Sequence, residues 1–145
     1  MLKEYSHGDV AFDVPISWVV SETEGTVEMV DELARGALHL SFLKRTTLSP
    51  PQDDDACQLV ENFASKSGLV LQGNLNASVY SSEARAIGRF HPQTPTAETP
   101  LHWLLASIVW QDSAVRASYC TDSDTNDLIQ SAAEVVRSIR SFKRS

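Results

Sequence analysis

The chain has 145 residues, of which 42% are hydrophobic, and a formal net charge of −7. This length predicts one domain, residues 1–145, that buries a core without needing disulfides or a metal ion. An acidic chain is a poor candidate for nucleic-acid binding, because phosphate contacts need a basic surface. We therefore expect no nucleic-acid partner.

The chain contains no stretch of about 18 apolar residues, so we expect no membrane insertion. Its first residues lack the apolar run of a signal peptide, which predicts a cytoplasmic protein. Cys57 and Cys120 are too few for a disulfide framework. We expect both thiols to be reduced and structural.

The negative charge is concentrated before Leu33, where eight acidic residues stand against the single Lys3. This acidic N-terminal region allows two interpretations. It is a surface that meets a basic partner, or its charges keep sheet edges soluble.

Hydrophobic spacing predicts the elements of the first half. Val10, Phe12 and Val14 alternate along a strand that Pro15 ends, and Trp18 then covers an edge of the core. Asp53, Asp54 and Asp55 favour a helix start. The elements predicted next are strands over about 26–30 and 37–43, a loop over 49–55 and a helix over about 54–66.

The second half predicts four more strands and a closing helix. Gly88 interrupts the alternation of one strand and suggests a bulge there. The predicted elements are strands over 76–82, 84–91, 101–110 and 114–120, a loop over 91–100 and a helix over about 123–142. This order favours an antiparallel sheet closed by a C-terminal helix.

Two short sequence segments are distinctive: Phe12-Asp13-Val14-Pro15-Ile16-Ser17-Trp18 near the start of the chain and Val136-Arg137-Ser138-Ile139-Arg140-Ser141-Phe142 near its end. With the mid-chain helix and the late pair of long strands between them, the chain resembles the PsbP/Mog/DcrB-like superfamily. The resemblance implies an α+β fold in which an antiparallel sheet is flanked by helices, an α/β/α sandwich with the C-terminal helix packed on the sheet.

The same resemblance implies a non-catalytic role, because members of that superfamily bind other proteins. They include a photosystem extrinsic subunit, a Ran-binding import factor, envelope lipoproteins and cytoplasmic chaperones of type VI secretion effectors. The length of this chain and its expected cytoplasmic location are compatible with the effector-chaperone branch.

No catalytic motif is evident. The four histidines are scattered, and the chain has neither a Gly-x-Ser-x-Gly elbow nor a phosphate-binding Gly-Lys-Ser/Thr loop. Residues 122–127 begin like a calcium loop, but Asp127 stands where such a loop needs glycine and Ala133 where it needs glutamate. We therefore expect no enzyme activity, no cofactor and no metal, and a helix start at this segment.

The strand over 101–110 is apolar on both faces. It is either central in a sheet covered on both sides, or part of one face is an apolar groove for a peptide or helix. In the second case Trp103 or Trp110 is the anchor, and Trp18 and His39 are further candidate binding residues.

We accordingly expect a protein-interaction module, such as a small cytoplasmic chaperone or adaptor for a secreted or membrane-active partner. Two alternatives stay open. One is a small ligand-binding protein or enzyme with a cavity between sheet and helices, lined by His39, Arg89 or Tyr119. The other is an immunity protein that blocks a basic toxin. Self-association into a homodimer is also open.

Overall fold

The computed structural model describes residues 1–46, 49–93, 101–122 and 126–142. Within these residues the chain forms ten strands and two helices. They are, in order, β1 (Leu2–His7), β2 (Val10–Pro15), β3 (Val19–Thr23), β4 (Thr26–Val30), β5 (Gly36–Lys44), α1 (Asp53–Lys66), β6 (Leu69–Tyr80), β7 (Glu83–Pro92), β8 (His102–Val109), β9 (Ser113–Thr121), α2 (Asn126–Ser138) and β10 (Arg140–Ser141).

Seven strands form one antiparallel sheet in the order β3-β4-β5-β9-β8-β7-β6. A second, three-stranded sheet has the order β1-β2-β10. The α+β class, the antiparallel sheet and the packing of the C-terminal helix on it are confirmed. The small sheet is an addition to the expected architecture.

Alternation along each strand divides the core between the two sides of the large sheet. On one side, α2 and the small sheet cover side chains such as Leu40, Ile108 and Tyr119, all of which are buried. On the other side, α1 covers a second cluster that includes Leu105 and Phe90. The predicted strand with two apolar faces is β8, which lies centrally with a helix on each side.

Helix α1 follows directly from its sequence. The Asp55 carboxylate accepts a hydrogen bond from the Gln52 amide at 2.8 Å, which satisfies a donor at the helix start. Ala56, Val60 and Ala64 recur every four residues and are buried against the sheet.

The end of the closing helix differs from the prediction. Helix α2 ends at Ser138, because Arg140 and Ser141 pair with Ala11 and Val10 of β2 instead of continuing the helix. The Ser138 hydroxyl accepts a hydrogen bond from the Asp13 amide at 2.8 Å, which fixes the turn. Residues 123–125, where the helix was predicted to begin, and 94–100 of the predicted loop lie outside the described residues.

The predicted bulge lies in the neighbouring strand. Gly88 keeps regular register with β8, whereas β6 shifts register between Gln72 and Asn76. The glycine is needed for another reason. Leu75 of the irregular segment of β6 lies over Gly88, and a Cβ at position 88 would be 2.8 Å from a δ-carbon of that leucine.

Candidate functional site

One side of the large sheet is covered over only part of its width. Helix α1 packs mainly on β6, β7 and β8, and it reaches the same side of β5 and β9 only near one end of those strands, at Leu43, Ala114 and Arg116. Over the rest of that side of β3, β4, β5 and β9 the described residues place no helix. We call this uncovered area the open face. Its side chains are Val19, Ser21 and Thr23 of β3, Thr26, Glu28 and Val30 of β4, Ala37, His39 and Ser41 of β5, and Arg116, Ser118 and Cys120 of β9.

The strand register aligns these side chains in rows across the strands. We call the first the apolar row: Val19, Val30, Ala37, Cys120 and Trp103, which are neighbours from β3 to β8. Val19 is 66% exposed, and the other four are half-buried. The remaining rows of the open face are polar, so the face is amphipathic along the strand direction.

We call the strip of the open face beside α1, over β9 and β5, the groove. Near the end of β5 it deepens into a cavity of 220 Å³, in which Leu59 of α1 faces Leu43 and Ala114 of the sheet. At the opposite end of the strands, a depression of 340 Å³ is lined by Val30 and Cys120, among others. Between the two, the Arg116 guanidinium lies 4.6 Å from the ring centroid of Phe63 and borders the groove.

Two of the predicted binding residues lie on this side of the sheet. Trp103 is half-buried at the border between α1 and the open face, and its indole nitrogen has no hydrogen-bond partner among the described residues. His39 lies in the middle of the open face, and its Nε2 atom is 2.8 Å from Oε2 of Glu28.

The other two predicted residues lie on the opposite side. Trp110 is 2% exposed, and its indole N–H donates to Glu83 Oε1 at 3.0 Å, so it is a core residue in this structure. Trp18 is half-buried and stacks on Tyr119 with ring centroids 6.5 Å apart, as expected for a residue that covers a core edge. The structure thus brings Trp103 and His39 to one side and keeps Trp110 and Trp18 from it.

The row across the middle of the open face has the residue types of a hydrolytic triad. Ser118 is the cross-strand neighbour of His39, which is in turn the neighbour of Glu28. However, no hydrogen bond joins Ser118 to His39 among the described residues, and the backbone around Ser118 pairs with β5 and β8. Backbone donors are therefore not free to stabilise an oxyanion, which such catalysis requires.

Cysteine chemistry is also unfavourable here. Burial, with a smaller effect of the nearby Asp122 carboxylate, raises the pKa of Cys120 to about 11. Because the thiolate is the nucleophilic form, this thiol is unreactive near neutral pH. Burial likewise raises the pKa of Cys57. Both cysteines are free thiols, and the described residues contain no cluster of three or more metal-ligating side chains.

The alternative of a ligand-binding protein or enzyme predicted one cavity lined by His39, Arg89 or Tyr119. The structure does not bring these three residues together. Tyr119 is buried against α2 on one side of the sheet, while His39 lies on the opposite side. Arg89 borders a separate pocket between β6, β7 and α2. Burial, together with the Asp31 carboxylate, raises the pKa of Tyr119 to about 12, so its hydroxyl stays protonated.

Part of the acidic N-terminal region is engaged within the molecule. Asp31 is buried, and its carboxylate accepts hydrogen bonds from the amides of Leu33, Arg35 and Gly36, which shape the turn into β5. Glu28 contacts His39, and Arg140 bonds to both Glu4 and Asp13. Glu22 of β3 lies 2.7 Å from His7 on the side of the sheet opposite the open face. Glu24 and Glu32 lie in the segments that precede and follow β4.

The predicted strand over 76–82 corresponds to the second half of β6, whereas its first half, its place at the sheet edge and the pocket beside it were not predicted. Residues 69–80 contain no charge and no proline, yet almost all of them are exposed. That absence of charge was a usable signal, because exposed edges normally carry lysine or proline. No helix of the described chain is both long and apolar enough to cross a bilayer.

Comparison with solved structures shows the fold. A crystal structure of a protein from Bacteroides thetaiotaomicron matches 98% of this chain with a TM-score of 0.67 and 16% identity. This chain spans about half of that protein, 49% of its length. The solution structure of the cyanobacterial PsbP protein CyanoP from Synechocystis matches 97% of this chain and 92% of its own, with a TM-score of 0.67 and 16% identity.

No protein-family model matches the sequence. No curated relative matches it either. Sequence identities of 16% establish a shared architecture and nothing about partners or activity. The chain has a PsbP-like fold.

Proposed function

We propose that this protein is a non-catalytic protein-binding module that holds one helix of a partner polypeptide on the open face, beside α1. The observation that supports this proposal is the incomplete helical layer. Helix α1 lies over β6, β7 and β8 and touches β9 and β5 near one end, so most of the same side of β3, β4, β5 and β9 has no described helix above it.

The dimensions of the groove suit a helix. Four strands are about 19 Å wide at a spacing of about 4.8 Å. A helix is about 10–12 Å in diameter and packs about 8–10 Å from its neighbour, so one helix beside α1 would lie over β9 and β5. The nine residues of β5 extend for about 30 Å, the length of a helix of about 20 residues.

The side chains of the open face favour close approach. Ala37, Ser41 and Ser118 are small and lie on β5 and β9, the two strands of the face nearest to α1. Trp103 and Cys120 supply apolar contact at one end, while Leu43 and Leu59 supply it at the other. The matching helix is therefore amphipathic, with its apolar side against the sheet.

The charge of the open face limits the partner further. Glu28 is half-exposed at its centre, and Glu24 and Glu32 flank β4 at its two ends. A helix with lysine or arginine on the side toward β4 complements these carboxylates. A small cytoplasmic chaperone or adaptor, which shields such a segment of a secreted or membrane-active partner, is the role we propose.

The test uses the variant Ser118→Arg, which places a long charged side chain in the middle of the groove. The matched control is Ser82→Arg, which makes the same change in the exposed turn between β6 and β7. Partners are captured from the native host with the wild-type chain, and their predicted helices of about 20 residues are synthesised as peptides. Binding of each peptide to the three proteins is measured by calorimetry.

We expect at least one amphipathic peptide to bind the wild type and Ser82→Arg equally, and Ser118→Arg at least tenfold more weakly. A photo-crosslinking residue at position 118, but not at 82, should attach to the same peptide. Unchanged binding to Ser118→Arg, or crosslinking only from position 82, would contradict the proposal. Circular dichroism of the variant establishes that it is folded.

A further inference from the structure

The pocket between β6, β7 and α2 is a separate feature on the side of the sheet opposite the open face. It has a volume of 190 Å³. Its walls are Gln72, Asn74 and Asn76 of β6, Arg89 of β7, and Gln130 and Arg137 of α2. Its floor consists of the apolar side chains of Ile87, Leu104, Ile129 and Ala133. We call it the α2 pocket.

The α2 pocket is cationic in an acidic protein. Arg89 and Arg137 both border it, and no aspartate or glutamate does. Among the described residues, neither arginine forms an ion pair. The only hydrogen bond of Arg89 to these residues runs from Nη1 to Asn126 Oδ1, at 3.1 Å. Since a guanidinium carries five N–H donors, most of those on Arg89 lack an acceptor within the described protein.

The neutral groups of the walls add hydrogen-bond donors. Gln72, Asn76 and Gln130 carry carboxamides, each of which has two N–H donors. Two guanidinium groups with several amides form a donor-rich wall. The apolar floor limits the water around a bound group, which strengthens charge-assisted hydrogen bonds.

The backbone of β6 is shaped to form this pocket. Gln72 and Asn76 are four positions apart, whereas their partners Arg89 and Ile87 are two apart, so β6 accommodates two extra residues there. Gly73 takes a φ of +84°, a value that favours glycine, and Leu75 folds over Gly88 on the α1 side. The irregularity thus places Asn74 at the pocket, as bulges near binding sites commonly re-aim side chains.

We propose that the α2 pocket binds a small oxyanion, a carboxylate or a phosphate group, through Arg89 and Arg137. The planar donor pair of a guanidinium matches two oxygens of either group. Pockets for drug-sized ligands measure about 300–1,000 Å³, so the ligand here is a smaller molecule or one anionic group of a larger one. This site is independent of helix binding on the open face.

The test is an NMR titration of the isotopically labelled full chain with inorganic phosphate and, separately, with malonate. Sodium chloride at equal ionic strength is the reference. The variants are Arg89→Gln and Arg137→Gln, and the matched control is Lys66→Gln, which removes one positive charge at the exposed end of α1.

We expect saturable amide shifts confined to the α2 pocket in the wild type and in Lys66→Gln. Each arginine variant should bind the anion at least tenfold more weakly, because it loses a hydrogen bond to a charged group. If both phosphate and malonate saturate the pocket, it is a general oxyanion site. If only one of them does, the natural ligand carries that group, a phosphate or a carboxylate. Shifts that spread over all surface cations, or equal affinity in both arginine variants and the wild type, would overturn the proposal.

Discussion

Gly36 is a position where the structure leaves no space for a side chain. A Cβ added there would lie 2.2 Å from the Tyr119 hydroxyl oxygen and 2.6 Å from the ring carbon that bears it. Tyr119 is 1% exposed and packs in the core beneath α2, so its ring has little freedom to move.

We therefore expect Gly36→Ala to destabilise the protein by about 1–3 kcal/mol, the usual cost of overpacking. Urea denaturation measures this change in the free energy of unfolding. In the Tyr119→Phe background the loss should be smaller, because the closest atom is gone. An equal loss in both backgrounds would show that the contact with Tyr119 is not the cause.

The raised pKa of Tyr119 also predicts a pH dependence of stability. The folded protein holds the phenol protonated up to a pKa of about 12, whereas the unfolded chain ionises near the ordinary value of 10.0. The contribution of Tyr119 to the free energy of unfolding is therefore complete below pH 10 and is lost as the pH rises toward 12. Two pKa units correspond to roughly 3 kcal/mol.

Urea denaturation between about pH 9 and about pH 12 tests this dependence, with Tyr119→Phe as the control. The wild type should lose more stability over this interval than the variant does. Equal slopes would mean that Tyr119 ionises in the folded protein as it does in the unfolded chain.

At the scale of elements, β6 is an exposed edge that lacks the usual protection. It is twelve residues long and uncharged, and Val79 is 42% exposed on the side that α1 partly covers. Unpaired backbone groups along such a strand can pair with another chain. At the other edge of the sheet, β3 has five residues and carries Glu22.

We expect Val79→Lys to slow aggregation on heating, because a charge on an edge strand opposes pairing with a second strand. Light scattering at constant protein concentration measures the lag time. Ser82→Lys is the control, since it adds the same charge in the adjacent turn. The stability of both variants should stay within about 0.5 kcal/mol of the wild type. Equal lag times for the two variants would show that β6 is not the site of association.

Elements with a strong local pattern were predictable from the sequence, and elements made by distant contacts were not. The alternation of β5 and the four-residue spacing of α1 gave both elements nearly at their observed bounds. β3 and the first half of β6 lie at sheet edges, where exposure removes the alternation that marks a strand. The end of α2 depends on pairing of Arg140 with Ala11, more than a hundred residues away.

At the scale of the whole molecule, the open face was not predictable because it depends on strand order. Ser118, His39 and Glu28 lie far apart in sequence and become neighbours only when β9 pairs with β5 and β5 with β4. The sequence singled out Trp103 and Trp110 equally. Their separation depends on where β8 ends, because Trp110 follows the strand and turns its ring into the core beneath α2.

The small sheet has a consequence for the order of folding. Its middle strand, β2, is flanked by β1 from the beginning of the chain and β10 from near the end. During translation the last core residues to emerge are those of α2 and Ile139, so the hydrophobic side that they cover stays open to solvent until then. The growing chain therefore passes through a stage in which the large sheet carries α1 on one side and exposes its apolar residues on the other, the kind of surface that makes a folding intermediate prone to aggregate.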